Sequence, residues 1–425
     1  MNDLGGAQNT AKRVFFKTFG CRTNLFDTQS MIASLDGFWE RASAEAEANA
    51  IVINSCSVTN AADSAARNYA RKIRREYPAA KVLFTGCGAA NQGAALLKNG
   101  EIHGVFSHAE KQKIARFLSS DAPFSVLTPP AAMLNEPAFT TFEGKTRAFI
   151  KVQEGCDFSC SYCSIWRARG RARSRAASEI LDQIARLADR GFSEFILTGT
   201  NTGAYNFDGL NLANLAAKIG NINGVRRVRL GSVEPLQVNS DLIDLLDAPF
   251  MEKHLHIALQ HTSDIILEKM ERRNRYETDL ILLEKIANKN CAIGTDFIVG
   301  FPSESEDIFN DAFLRLKNLP LTHIHIFKFS PRSGTKAANM KDRVSGDVMK
   351  RRDMISALIA EKRKEFYLRN STPLKILIEN NNSGLDQFFS RVKIKCDPEI
   401  AGWVEVAKYN FDDLGSLIAK DFYAI

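Results

Sequence analysis

Three apolar, β-rich runs near the start of the chain each stop at a cysteine. RVFFKTF (13–19) ends at Gly20 and Cys21, AIVIN (50–54) at Ser55 and Cys56, and KVLFT (81–85) at Gly86 and Cys87. Helical segments lie between them. One starts near Asn24, an N-cap residue type, and runs towards Leu35; the other starts near Asn60 and carries Arg67, Arg71, Lys72, Arg74 and Arg75. Alternating β and α elements predict a parallel sheet, whose loops after the strands open on one edge, where ligands collect. Cys21, Cys56 and Cys87 are far apart in sequence, yet this geometry brings them together as a three-thiolate metal site. The competing reading, three independent buried thiols, requires three coincidences at strand ends.

A second set is local. Cys156, Cys160 and Cys163 form a C-x3-C-x2-C run in EGCDFSCSYC. Three thiols in one tight loop can converge on one metal centre, but they are one short of a closed zinc site or a fully ligated iron–sulfur cube. A four-iron cluster on three thiolates keeps one iron open for a substrate. Zinc needs a fourth ligand close in sequence, and none stands out. Cys291 and Cys396 have no cysteine partner at metal spacing and read as core thiols.

The bulk numbers set bounds. The 425 residues suggest two or three domains, and 45% hydrophobic with 25% charged content is an ordinary globular balance. There is no run of eighteen apolar residues to span a membrane and no secretory pattern at MNDLGGAQNT. Eight cysteines in such a chain fit a reducing cytoplasm and metal-bound thiolates better than disulfides. The net charge of +7 permits a nucleic-acid partner without requiring one.

Residues 12–120 are expected to be the first α/β domain and 121–145, with Pro123, Pro129, Pro130 and Pro137, a linker. From 146 to 370 the strand–helix rhythm returns with TRAFIKVQ, SEFILTG, VRRVRLGS, KHLHIALQ, AIGTDFIVG and HIHIFKFS. Six β/α units suit an open partial barrel with its functional residues at the strands' C-terminal ends. A basic helix, Met349–Arg369, closes this region, and 371–425 reads as a small all-β module.

Several residues at those strand ends can meet a ligand. Tyr162 is placed to lean on a flat ligand, although a lone aromatic is ordinarily packing. In LTGTNTGAY, Gly199 and Gly203 let the backbone approach, while Thr198, Thr200 and Asn201 offer hydrogen bonds. Ser232 and Glu234 end the next strand, where a carboxylate can accept from ribose hydroxyls. Gln260, His261 and Ser263 follow the fourth strand, with helix capping the competing role for Ser263 and Asp264. The pairs His254/His256 and His323/His325 each point to one face and suit metal, but read here as satisfied strand histidines. RARGRARSR places Arg167, Arg169, Arg171, Arg173 and Arg175 directly after the cysteine loop, where guanidinium forks suit an RNA backbone.

The chain resembles the methylthiotransferases of the radical S-adenosylmethionine (SAM) superfamily from about residue 12 to its end. FKTFGCRTN, NSCSVTNAADSAAR and FTGCGAANQG match their N-terminal domain. EGCDFSCSYCSIWRARGRARSR, LTGTNTGAY, HLHIALQHTSD, TDFIVGFPSE and FKFSPRSGT match the radical SAM core, and the tail resembles their small RNA-binding TRAM β-barrel. CSVT-x-x-AD, ARGRARSR and LTGTNTGAY are most similar to the branch acting on threonylcarbamoyladenosine in tRNA.

The resemblance implies that Cys156, Cys160 and Cys163 hold a 4Fe–4S cluster that splits SAM. It further implies that Cys21, Cys56 and Cys87 hold an auxiliary 4Fe–4S cluster carrying the sulfur. A methylthio group would then reach C2 of the modified adenosine beside the anticodon. The implied partners are tRNA, an electron donor such as flavodoxin or ferredoxin, and a sulfur donor, in the cytoplasm. The alternatives are the same chemistry on isopentenyladenosine or a ribosomal-protein aspartate, and a non-catalytic iron–sulfur RNA-binding protein. Two features depart from the pattern: His261 and Thr262 stand where many relatives read LQSGS, and 371–425 holds six Lys/Arg against eight Asp/Glu.

Overall fold

The computed structural model describes residues 11–130, 133–142, 145–342, 344, 347–379, 382–394, 401–412 and 415–425. The chain divides into two compact units: Met1–Phe139 with Ser164–Gly170, and Thr140–Cys163 with Arg171–Ile425. Cys396 lies outside the described residues. No described helix is long and apolar enough to cross a membrane.

The first unit is a six-stranded parallel sheet flanked by helices. Its elements run β1 (Lys12–Thr18), α1 (Arg22–Ala33), β2 (Trp39–Arg41), β3 (Ala50–Ser55), α2 (Asn60–Glu76), β4 (Lys81–Gly86), α3 (Ala89–Lys98), β5 (Gly104–Phe106), α4 (Ile114–Leu118) and β6 (Phe124–Val126). Helix α5 (Ile165–Arg169) belongs to the same unit. The strand order is β2-β1-β3-β4-β5-β6 and every pairing is parallel. Both faces of β3 are buried, as its unbroken apolar run requires in a covered parallel sheet. Helix α2 starts where the Thr59 hydroxyl accepts from Ala62 N, and it buries Ala66, Ala70 and Ile73, one stripe at helical spacing.

The sheet is wider than the sequence suggested. Strands β2, β5 and β6 have three residues each, too few to display a period. Phe124–Val126, expected within a linker, forms the sixth strand, and Gly104 gives the Phe124 ring its room: a Cβ there would sit 2.3 Å from the ring.

The second unit opens with β7 (Ala148–Lys151) and the short antiparallel pair β8 (Gln153–Glu154) and β9 (Arg173–Ser174). It continues with α6 (Ala177–Ala188), β10 (Glu194–Thr198), the ribbon β11 (Asn206–Phe207) with β12 (Leu210–Asn211), α7 (Leu212–Gly220), β13 (Arg227–Leu230) and α8 (Ser240–Leu245). Then come β14 (His254–His256), α9 (Asp264–Lys269), α10 (Tyr276–Ala287), β15 (Ala292–Val299), α11 (Glu306–Asn318), β16 (His323–Lys328) and α12 (Val348–Arg369). Parallel sheets β13-β10-β7 and β14-β15-β16 are joined by the bridges Val228–Met251 and Val233–Ile257. The result is an open six-strand arc, the partial (β/α)6 barrel expected.

Strands β17 (Leu374–Glu379), β18 (Ser383–Leu385), β19 (Arg391–Lys393), β20 (Trp403–Phe411) and β21 (Leu417–Ala424) form a closed barrel, which leaves no free sheet edge. Its core of Ile376, Phe388, Val392, Val404 and Leu417 takes in Tyr367 from α12. Hydrogen bonds tie it to the six-strand arc, one of them from an arginine held in buried ion pairs within the arc. Arg229 donates to Glu194 (2.7 Å), Glu252 (2.9 Å) and the Asp386 carbonyl (2.7 Å), while the Trp403 indole donates to Ser193 Oγ at 2.9 Å.

Candidate active site

The first unit gathers its three cysteines at one sheet edge. Cys21 is the N-cap of α1, Cys56 follows the last residue of β3, and Cys87 follows the last residue of β4; these strands are neighbours. Cross-ties hold the strand ends together. Asn24 Nδ2 donates to the Phe19 carbonyl (2.8 Å) and the Ser55 carbonyl (2.9 Å), Cys87 N donates to Ser55 O (3.0 Å), and Asn54 Nδ2 donates to Asn24 O (2.8 Å). Gly20, at φ +92°, lies so close to Cys56 that a Cβ would stand 2.5 Å from its sulfur.

Cys87 sits beside a buried polar network. Arg169 donates from Nε to Cys87 Sγ at 3.3 Å and from Nη2 to Asn24 Oδ1 (2.6 Å) and Asp27 Oδ2 (2.8 Å). His108 Nε2 lies 3.5 Å from the same sulfur, and Lys111 bridges Asp27 (2.8 Å) and Glu136 (2.7 Å). Burial pushes the Cys87 thiol up to about 12 and the Arg169 charge pulls against it; the Cys21 and Cys56 thiols add to the rise. Cys56 is raised by burial as well. A metal bound here would displace the thiol protons to solvent, and the Arg169 guanidinium favours the resulting negative charge on Cys87.

The second triad lies in the loop after β8. Gly155 takes φ +81°, and its N–H donates to Thr200 Oγ1 at 3.2 Å. Phe158 N donates to Cys156 Sγ (3.4 Å) and Cys163 N to Cys160 O (3.0 Å), which turns the loop in on itself. Two side chains from elsewhere in the unit reach these sulfurs. Asn201 Nδ2 lies 3.9 Å from Cys156 Sγ, and its buried Oδ1 has no hydrogen-bond partner. Arg272 Nη1 lies 3.8 Å from Cys160 Sγ. Burial raises the Cys156 thiol, opposed by the Phe158 N–H and reinforced by Cys160 and Glu234.

The other expected site residues are spread more widely. Glu234 is paired with Arg272 (2.8 Å), and the two line a pocket with Phe158, Cys160, Pro235 and Leu236. Gly199 is held against Gln153, where a Cβ would meet the backbone carbonyl at 2.8 Å. Thr198 is buried at the end of β10, and its carbonyl accepts from Val152. Tyr162 packs beside Ile266, Met270 and Ala337, edge-on to Phe301. Ser232 is exposed, and Gln260 (φ +70°) bridges to Phe297. Arg272 was not singled out in the sequence, because a lone arginine in ERRNRY carries no pattern.

The arginine run does not form one face. Arg167 and Arg171 are exposed, the first over the Trp166 ring and the second 3.6 Å from Asp157. Arg169 is buried in the network above, and Arg175 is buried on Gln183 (2.6 Å). Arg173 is largely covered and pairs with Glu154 at 3.3 Å. Three of the five arginines are thus engaged within the folded chain, and Arg167 and Arg171 are the ones left exposed.

Residues 13–107 match the model of the uncharacterized protein family UPF0004, and 150–316 that of the radical SAM superfamily. A putative methylthiotransferase of Helicobacter pylori strain J99 is 50% identical over 95% of this chain and 98% of its own length. This chain belongs to the radical SAM methylthiotransferases. The threonylcarbamoyladenosine tRNA methylthiotransferase MtaB of Aquifex aeolicus is a relative at 33% identity, covering 93% of this chain and 99% of that one. The radical SAM methyltransferase TsrM of Kitasatospora setae, with cobalamin and a [4Fe-4S] cluster bound, shares the fold at TM-score 0.57. That match has 15% identity and covers 77% of each chain. As a methylthiotransferase the chain is a sulfur-transferring radical SAM enzyme, and SAM with 4Fe–4S clusters are the cofactors of that chemistry.

Proposed function

We propose that this methylthiotransferase acts on tRNA and places a methylthio group at C2 of N6-threonylcarbamoyladenosine beside the anticodon. The observation that carries the reading is that each unit gathers three cysteines, Cys21, Cys56 and Cys87 in one, Cys156, Cys160 and Cys163 in the other. Three thiolates suit a four-iron cube with one iron left open, and the orphaned Asn201 Oδ1 and the Arg272 guanidinium beside the second triad suit a bound polar ligand. The substrate rests on likeness to the Aquifex aeolicus MtaB.

When bound, the clusters and SAM supply the one-electron cleavage, the sulfur and the methyl group. The chain's own residues fix where these meet. Asn201 donates towards Cys156 and favours its thiolate form, and Arg272 donates towards Cys160. Glu234, locked by Arg272, is a fixed acceptor for ribose hydroxyls at the pocket wall. Arg169 does for Cys87 what Arg272 does for Cys160. Arg167 and Arg171 offer exposed charge to phosphates.

Nucleoside mass spectrometry of tRNA from a deletion strain tests the assignment. The methylthio-threonylcarbamoyl nucleoside should vanish while its unthiolated precursor accumulates. Loss of the methylthio-isopentenyl nucleoside instead would overturn the substrate, and an unchanged profile would overturn tRNA as the target.

A further inference from the structure

Alternate residues of β14, β15 and β16 share one face of the six-strand arc: His254 and His256, then Gly294 and Asp296, then His323 and His325. The register sets His256 opposite Gly294 and Asp296 opposite His325. Asp296 Oδ1 lies 3.1 Å from His256 Nε2 and 3.3 Å from His325 Nδ1, and the three atoms all fall within 4.8 Å of one another. Imidazole and carboxylate bonds to zinc of about 2.0–2.2 Å place neighbouring ligand atoms roughly 3–3.5 Å apart, which the two imidazole–carboxylate separations match.

His256 is buried, and its Nε2 is left without a hydrogen-bond partner although the Asp296 oxygen lies 3.1 Å away. A metal ion held by both atoms would satisfy the buried nitrogen. Gly294 maintains the approach, since a Cβ would stand 2.9 Å from His256 Nδ1. The other two histidines of the face are engaged elsewhere. His323 meets Thr322 Oγ1 (2.8 Å) and Ser390 Oγ (3.0 Å), and His254 stacks on Phe389.

We propose that His256, Asp296 and His325 bind one divalent transition-metal ion, zinc being the best match. The site shares no residue with either cysteine triad and does not rest on the proposed reaction. Two imidazoles with one carboxylate suit zinc and its first-row neighbours and disfavour magnesium and calcium. Three protein ligands make an open site rather than a closed structural one. The open side lies at His325, whose side chain is 58% exposed, so water or an anionic oxygen ligand completes the coordination.

The test is equilibrium dialysis of the anaerobically reconstituted full chain against Zn²⁺, with zinc and iron counted together. The wild type should take up about one zinc per chain at unchanged iron content. Asp296→Asn and His325→Ala should bind it roughly 10- to 100-fold more weakly, again at unchanged iron. Zinc should also raise the melting temperature of the wild type and not of His325→Ala, an exposed position where loss of the ring leaves the fold intact. Failure of the wild type to take up stoichiometric zinc would overturn the site, as would equal uptake by both variants.

Discussion

Arg169 Nε stands 3.3 Å from Cys87 Sγ, with both residues buried. A cation at that distance stabilises negative charge on the sulfur and on whatever the sulfur ligates. Arg169→Met should therefore lower the midpoint potential of the cluster proposed on Cys21, Cys56 and Cys87, because the more negative reduced form loses its counter-charge. The cluster on the other triad should not move. Redox titration followed by electron paramagnetic resonance reads the two signals apart.

The same contact gives a stability prediction. Asp27, buried between Arg169 and Lys111, loses one of two cations in Arg169→Met, and breaking a buried pair costs about 3–5 kcal/mol. Because Lys111 remains, the loss should fall at the lower end of that range. Arg169→Met with Asp27→Asn should cost less than the two single changes added together. Urea unfolding of the four-member cycle checks it.

Binding to tRNA should respond to the exposed arginines alone. Arg171→Ala, at a side chain 85% exposed, should weaken binding and reduce the slope of log affinity against log salt by roughly 1. Arg175→Ala removes a buried partner of Gln183 and should lower stability while leaving that slope unchanged.

How far the sequence foretold this arrangement differs from residue to residue. The cysteines were legible because each ends an apolar run or stands in a fixed spacing, and strand ends of a parallel sheet converge whatever the loop lengths. The histidine pairs were legible as one face because strand periodicity is strict. The arginines were not, since a count of charges does not say which of them turn inward: Arg169 and Arg175 are buried while Arg171 is not. Strands of three residues, as at Phe124–Val126, carry no period, and the nearby prolines suggested a linker.

Burial pushes the Asp279 carboxyl up to about 6, against the Asn274 amide that donates to it at 2.7 Å. Between the unfolded value near 4 and the folded value the native state holds more protons than the unfolded one. Stability must then fall as pH rises through that window and level off above it. The wild type should lose on the order of 3 kcal/mol relative to Asp279→Asn between about pH 4 and 6. Urea unfolding of both proteins across that range measures the difference.

The central claim is that each cysteine triad holds its own four-iron cluster, and counting iron and zinc in anaerobically reconstituted protein tests it most directly. The wild type should carry about eight irons per chain, and triple alanine variants of either triad about four. About four irons in the wild type, or zinc in place of iron at the cysteines, would contradict the account.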